Sequence, residues 1–274
     1  MKKLAVANLG LIVTERCNLN CRHCLMGGCT NKVMSDDVIE ATLGQFKYIM
    51  NLSICGGEPT LSLDRIEKIF SYVIENQILV DHVSITINGT IYSEKFLNLL
   101  NYMEEGINFR GNTPYKTNFR ISYDKYHIEE IKRLNMVDRY VENVRKYQES
   151  PYFWGLAQLG KRVIREGNAV DLDNKITVPF RPHKMIMTYV GNKNQLDIQN
   201  GFCYVGPFIT VNVDGIVTEC DASNQHQVEL YNYGNVLIDS IEDVCLKQKA
   251  LILKPKRWSR AINREIIKYS KELS

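Results

Sequence analysis

Four cysteines fall in the stretch CNLNCRHCLMGGC, at Cys17, Cys21, Cys24 and Cys29. The first three are spaced C-x3-C-x2-C. Three thiolates on a short loop can hold three irons of a 4Fe–4S cubane. Most such clusters use four cysteines, so with three, one iron stays open for another ligand. Zinc is the other metal these donors suit; it prefers four ligands, and His23 could supplement the cysteines. Spacing alone leaves both metals open.

The segment GGEP, Gly56 to Pro59, follows Cys24 by one helix and one strand. That distance puts it at the end of the neighbouring strand, beside the cysteine loop. Two glycines let a ligand approach the backbone closely, and Glu58 offers a fixed carboxylate to a ligand amine.

Together, CNLNCRHC and CGGEPT closely resemble the radical S-adenosylmethionine (SAM) enzymes, over at least residues 9 to 127. The resemblance implies that Cys17, Cys21 and Cys24 bind a 4Fe–4S cluster whose fourth iron is ligated by the methionine end of SAM. It implies that Gly56, Gly57, Glu58 and Pro59 contact SAM. His23 is expected at the same cofactor site. Asn88, in INGT, lies where the family often contacts SAM. Ser122 and Asp124, in ISYDKYH, lie where it meets SAM or substrate, with Asp124 as a catalytic candidate and His127 beside it. The residues themselves also allow plainer roles: Asn88-Gly89 as a turn and Asp124 as a helix cap. Cys29 is expected to stand outside the ligand set, because a fourth thiolate would occupy the iron that SAM needs.

The implied activity is reductive cleavage of SAM to a 5′-deoxyadenosyl radical, which abstracts a hydrogen atom from a substrate C–H bond. An electron donor of the flavodoxin or ferredoxin type and sensitivity to oxygen come with it.

Near the C-terminus, Cys203, Gly215 and Cys220 form C-x11-G-x4-C, which looks like the opening of the SPASM and twitch modules that follow radical SAM barrels. The resemblance allows one auxiliary iron–sulfur cluster on Cys203, Cys220 and Cys245. The alternatives are buried structural cysteines, or a hydrogen-atom donor at Cys220 or Cys245 as in the epimerase branch.

The elements that must position these groups follow from periodicity. MKKLAVANLGLIV reads as a buried first strand, not a signal peptide, since no cleavage site follows it. Ser35 caps a helix whose stripe is Ile39, Leu43, Phe46 and Met50, followed by the strand LSIC. A helix capped near Ser62 carries Ile66, Ile69, Phe70 and Val73, and the strand VSITI follows. A helix from Ser93 (Phe96, Leu99, Leu100, Met103), the strand FRISY and a long helix from Ile128 to about Gln148 come next. KRVIREGNAV and KMIMTYV read as two further strands. Alternating strands and helices predict an α/β fold, a partial (β/α)6 TIM-like barrel over residues 1–198. FITVNVDGIVTEC predicts a β-hairpin turning at Asp214-Gly215 in a small twitch-like module with a helix near Ile241, over residues 199–274.

Composition bounds the rest. A net charge of +3 is too weak to argue for nucleic acid or membrane partners. No segment reaches the ~20 apolar residues of a membrane span. A cytoplasmic location with reduced cysteines is expected, which favours metal binding over disulfides. The compact length and the YDKYH stretch look most like small maturases of ribosomally made peptides, acting by epimerisation or crosslinking. Only sixteen residues precede Cys17, so no fused N-terminal recognition domain is expected, and a leader peptide would be read by a separate protein or by the C-terminal module. The alternatives are a radical SAM enzyme acting on a small metabolite (an amino sugar, nucleotide or cofactor precursor) and a non-catalytic iron–sulfur or zinc module.

Overall fold

The structure, a computed structural model, describes residues 3–106, 116–158, 163–179, 186–190, 202–206, 208–218, 232–248 and 251–252. Strands β1 (Lys3–Ile12), β2 (Phe46–Cys55), β3 (Leu79–Ile87), β4 (Thr117–Ser122) and β5 (Phe153–Ala157) lie side by side in that order, every neighbouring pair parallel. Helices α1 (Asp36–Leu43), α2 (Leu63–Glu75) and α3 (Glu94–Gly106) make the first three crossovers, and α4 (Lys125–Arg133) and α5 (Val137–Gln148) the fourth. Parallel pairing requires such crossovers, and it sets all the strand ends that follow β1 to β4 along one edge. This mostly parallel sheet with helices is the expected α/β class, and it is consistent with a partial barrel.

One face of the sheet is sealed. Leu9, Leu11, Leu52, Ile54, Val83, Ile85, Phe119 and Ile121 are all buried, and they join the helix stripes in one apolar core. Those stripes are the ones periodicity predicts for α2 (Ile66, Ile69, Phe70, Val73) and α3 (Phe96, Leu99, Leu100, Met103). Ser35 caps α1, accepting from Val38 N.

Three elements depart from expectation. Phe46 and Met50 belong to β2, not α1, because α1 stops at Gly44 and the next ten residues pair along β1. Their spacing fits a helical stripe, but a long-range strand partner outweighs it. The expected long helix is two: Asn135 (φ 55°) breaks it between α4 and α5. Asparagine tolerates the left-handed region better than most side chains. Among the described residues, the βα repeat also ends at β5. KRVIREGNAV there contributes β6 (Val163–Ile164), which pairs apart with β7 (Thr177–Val178), with a 3-10 turn at Gly167–Asp171 between them.

KMIMTYV supplies β8 (Ile186–Val190), antiparallel to β9 (Phe202–Gly206). Beyond β1, β9 pairs with Lys3–Val6 and β10 (Ile209–Val211) with Leu9–Leu11, both parallel. Both strands therefore belong to the same sheet as β1. Strand β11 (Ile216–Thr218) folds back on β10 through a turn in which Gly215 (φ 81°) donates to Asn212 O, as Asp214-Gly215 predicted.

The split between α4 and α5 matters for the site. Tyr140 Oη donates to Ser122 O at 2.8 Å, Asn143 Nδ2 to Gly89 O at 3.2 Å and Tyr147 Oη to Ile91 O at 2.9 Å. Helix α5 thus ties down the loops that leave β3 and β4, while α4 turns toward the cysteine loop. Asn135→Val is expected to lower stability by about 1–2 kcal/mol, whereas Asn135→Gly stays near the parent. Thermal unfolding of both variants checks this, and equal loss in both would contradict the role given to the backbone there.

Candidate functional site

The cysteine loop leaves β1 through Thr14. Thr14 bridges to Val33, its hydroxyl donates to Lys32 O at 3.2 Å, and the same oxygen accepts from Arg16 N. The end of β2 lies hard against this entry. Gly57 N donates to Thr14 O and Glu58 N to Arg16 O, each at 2.7 Å. A Cβ on Gly57 would stand 2.3 Å from Arg16 O, and one on Gly56 2.5 Å from Thr14 O. What comes close to these glycines here is the chain itself.

Glu58 is 1% exposed. Its Oε1 accepts from Thr60 N (3.0 Å) and Thr60 Oγ1 (2.5 Å), and its Oε2 from Asn88 N (2.6 Å). Burial pushes its pKa up, opposed by those three bonds. The carboxylate therefore locks the turn at Pro59 to the loop after β3. Pro59, buried, opens that turn.

Asn88 is the hub of the site. Besides its amide bond to Glu58, its carbonyl accepts from His127 Nε2 at 2.9 Å. Its Nδ2 reaches Asn18 Oδ1 at 2.8 Å and Cys17 Sγ at 4.0 Å, and its Oδ1 accepts from Thr90 N and Thr90 Oγ1. One residue, through its backbone and its side chain, so joins the cysteine loop to the ends of β2 and β3 and to α4.

Helix α4 starts at Asp124, whose Oδ1 accepts from Tyr126 N and His127 N. The other oxygen lies 3.4 Å from His23 Nε2, and His23 stacks on Tyr126 with ring centroids 5.2 Å apart. Asp124 is thus a helix cap that also holds the loop histidine. A carbonyl only accepts, so the proton of His127 sits on Nε2. Its Nδ1 lone pair then faces Cys21 Sγ at 3.9 Å. Burial lowers the pKa of His127 and of His23. Ser122, half-buried at the end of β4, takes the Tyr140 hydroxyl on its carbonyl.

Two clamps had no sequence signal. Asn20 N donates to Glu130 Oε1 at 3.0 Å. Asn168 N donates to Cys24 O at 2.9 Å, and its side-chain amide to Cys21 O and Asn20 Oδ1. Gly167 (φ 57°) precedes it, where a Cβ would meet Cys24 O at 2.3 Å. Glu130 reads as an ordinary helix acid and Gly167-Asn168 as a turn, because their partners are more than a hundred residues away. A cleft of about 550 Å³ opens beside the loop, lined by Cys17, Asn18, Cys29, Glu130, Arg133 and Asn168 among others.

The donor set suits an iron–sulfur cluster. Cys17, Cys21 and Cys24 share one pinned loop and are half-buried. Burial pushes the Cys17 thiol up to about 12 and those of Cys21 and Cys24 up as well, and neighbouring thiols add to each rise. Thiolates held close together in low dielectric are a poor arrangement without a cationic centre to neutralise them. No three His, Cys, Asp or Glu side chains among the described residues lie close enough to hold one single metal ion. The fit rests on the three thiols themselves, as ligands of separate irons. Cys29 is exposed, and its thiol donates to Leu19 O at 3.4 Å.

Two of the three C-terminal cysteines fall within the described residues. Cys203 pairs in register with Leu4, near the start of β1 and away from the cysteine loop. Cys245 is fully buried in the short helix Ile241–Lys247 and belongs to the apolar core; its pKa is pushed up to about 12 by burial. Cys220 lies outside the described residues.

The family model described as the Radical SAM superfamily matches residues 11–153, just over half of the 274 residues. The chain belongs to that superfamily, and it is a radical SAM enzyme with a 4Fe–4S cluster and SAM as the family's cofactors. It is 35% identical over 95 residues to the uncharacterized protein MJ0907 of Methanocaldococcus jannaschii, a match spanning 32% of each chain. Among solved structures, it is similar to anSMEcpe with bound AdoMet and Cp18Cys peptide. That match has 15% identity and a TM-score of 0.47, and covers 98% of this chain and 83% of the other. A second is Streptococcus suis SuiB bound to precursor peptide SuiA, with 14% identity and a TM-score of 0.42, covering 87% of this chain and 64% of the other. No described helix is long and apolar enough to cross a membrane.

Cys29→Ala is expected to retain the iron of the reconstituted chain, about four atoms per cluster, whereas Cys24→Ala loses most of it. Iron and sulfide assays after anaerobic reconstitution check this, and loss of iron in Cys29→Ala would reassign the ligands.

Proposed function

We propose that this chain reductively cleaves SAM at a cluster held by Cys17, Cys21 and Cys24, and uses the product radical to take a hydrogen atom from a peptide substrate. The observation that carries the chemistry is the three-thiol loop, pinned by backbone hydrogen bonds to Gly57 and Glu58 and by Asn88. When bound, the cluster and SAM together supply one electron to the sulfonium and a 5′-deoxyadenosyl radical for hydrogen abstraction.

The chain's own residues orient and enclose. Glu58 ties the end of β2 to the loop after β3, and the Gly57 and Glu58 amides hold the entry to the thiol loop at Thr14 and Arg16. His127 holds Asn88 by its carbonyl and stands next to Cys21, and Asp124 fixes His23 over the loop. A preset geometry of this kind avoids reorganisation during a radical step.

The peptide reading rests on the resemblance of the compact chain and its YDKYH stretch to maturases of ribosomally made peptides. On this reading epimerisation or crosslinking is the outcome. A flavodoxin or ferredoxin supplies electrons, and a separate protein or residues 199–274 present the peptide.

Incubating the reconstituted chain anaerobically with SAM and a strong reductant should release 5′-deoxyadenosine, and Cys17→Ala should release none. Mass spectrometry of the peptide encoded beside the gene should show a product. In deuterated solvent, a gain of one deuterium marks epimerisation, whereas loss of two hydrogens marks a crosslink. Failure of the parent chain to form 5′-deoxyadenosine would contradict the reaction. An unmodified peptide alongside turnover of a small metabolite would contradict the substrate class.

A further inference from the structure

The sheet has a second face, opposite the helices, and its chemistry is unlike the first. Alternation along the strands puts Asn8, Asn51, Ser53, His82, Ser84, Thr86, Asn118 and Arg120 on it, and Trp154 joins them at the β5 bulge. These residues are neighbours across the strands: Asn8 pairs with Asn51, Asn51 with His82, Ser53 with Ser84, Ser84 with Asn118, and Thr86 with Arg120.

Hydrogen bonds connect the deep end. Asn51 Nδ2 donates to Asn8 Oδ1 at 3.2 Å, His82 Nδ1 lies 2.9 Å from Asn51 Oδ1, and Asn118 Nδ2 contacts His82 Nε2. Asn118 is 1% exposed, yet its Oδ1 has no hydrogen-bond partner among the described residues. A buried amide oxygen left unpaired destabilises the free protein, and a ligand N–H would satisfy it.

Nearer the mouth the face opens. The Arg120 guanidinium stacks 4.1 Å above the Trp154 ring, and both side chains are exposed, Trp154 by 49%. Edge-on to that ring stands His82, with centroids 5.9 Å apart. Among the face residues named above, Arg120 carries the only full charge; burial and the adjacent guanidinium lower the pKa of His82, so it stays neutral. Stacking fixes the plane of the guanidinium and leaves its edge donors free, the geometry that a carboxylate meets with two parallel bonds. A single cation matches a single carboxylate charge better than a phosphate dianion. Arg120 lies two residues below Ser122 along β4, about 7 Å from the strand-end site.

We propose that this open sheet face, with the Arg120–Trp154 stack as its anchor, binds an acidic residue of the peptide substrate. The rest of that peptide runs over the amide and hydroxyl row toward the thiol loop. The occupant is a chain and not a small acid, because Trp154, Arg120 and Thr86 stay open to solvent, whereas small-ligand sites enclose most of their ligand. The inference rests on the peptide reading above, and its test is a binding measurement independent of turnover.

The probe is a twelve-residue fluorescein-labelled peptide of Gly and Ser, both ends blocked, with one central Glu or one central Gln. Anisotropy against the reconstituted full-length chain is expected to show the Glu peptide binding at least about tenfold tighter. Arg120→Gln should abolish that preference, and Arg120→Lys, which keeps the charge, should preserve part of it. Equal affinities, no measurable binding of either peptide, or a preference that survives in Arg120→Gln would overturn the proposal. Succinate binding more tightly than the Glu peptide would overturn it too, by making the occupant a small acid. Failure to form 5′-deoxyadenosine would instead strike at the reaction, whatever the peptide affinities.

Discussion

The backbone of Gly56 to Glu58 lies so close to that of Thr14 to Arg16 that neither glycine can carry a side chain without displacing its neighbour. Everything at the strand ends depends on this approach. Parallel pairing of β1 and β2 runs to Ile12 and Cys55, and the two bonds from Gly57 and Glu58 extend it into the loops. The contact sets the height at which the cysteine loop departs. It also delivers Glu58 into the interior, where its buried carboxylate meets Asn88.

From that point the site is a short relay of hydrogen bonds. Glu58 fixes Asn88, Asn88 fixes Asn18 beside Cys17, and His127 closes the circuit between Asn88 and Cys21. Glu130 and Asn168 hold the outer side of the loop. Each bond is modest by itself, about 0.5–1.5 kcal/mol net, but Glu58, Asn88, His127 and Glu130 are buried, and breaking a bond among them strands a buried partner. The thiols are therefore held in place before any metal arrives. A cationic cluster bound there would relieve the repulsion among their ionised forms.

The cysteine triplet, the GGEP segment, the stripes of α2 and α3 and the Asp214-Gly215 turn were legible in the sequence because each rests on local chemistry. What was not legible depends on distant partners. Phe46 and Met50 carry a helical spacing, and only pairing with β1 makes them strand. Asn135 interrupts a periodic helix by its backbone angle alone. Strand β5, FWGLA, is short and has little alternation, and its identity comes from β4. Gly56 and Gly57 could be singled out from the GGEP segment and the resemblance it carries. That their closest neighbour is the cysteine loop itself required the fold. The polar face that ends in Arg120 and Trp154 is scattered over five strands, and no single segment announces it.

The central claim is that the thiol loop and the GGE turn form one preorganised unit in the chain before cofactor binds. Amide hydrogen exchange of the cluster-free protein tests this most directly. The account predicts strong protection at Gly57, Glu58 and Asn88, comparable with the interior of β2, and at Cys24 and Asn168 to a lesser degree. Exchange of the Gly57, Glu58 and Asn88 amides at the rate of an exposed loop would contradict it.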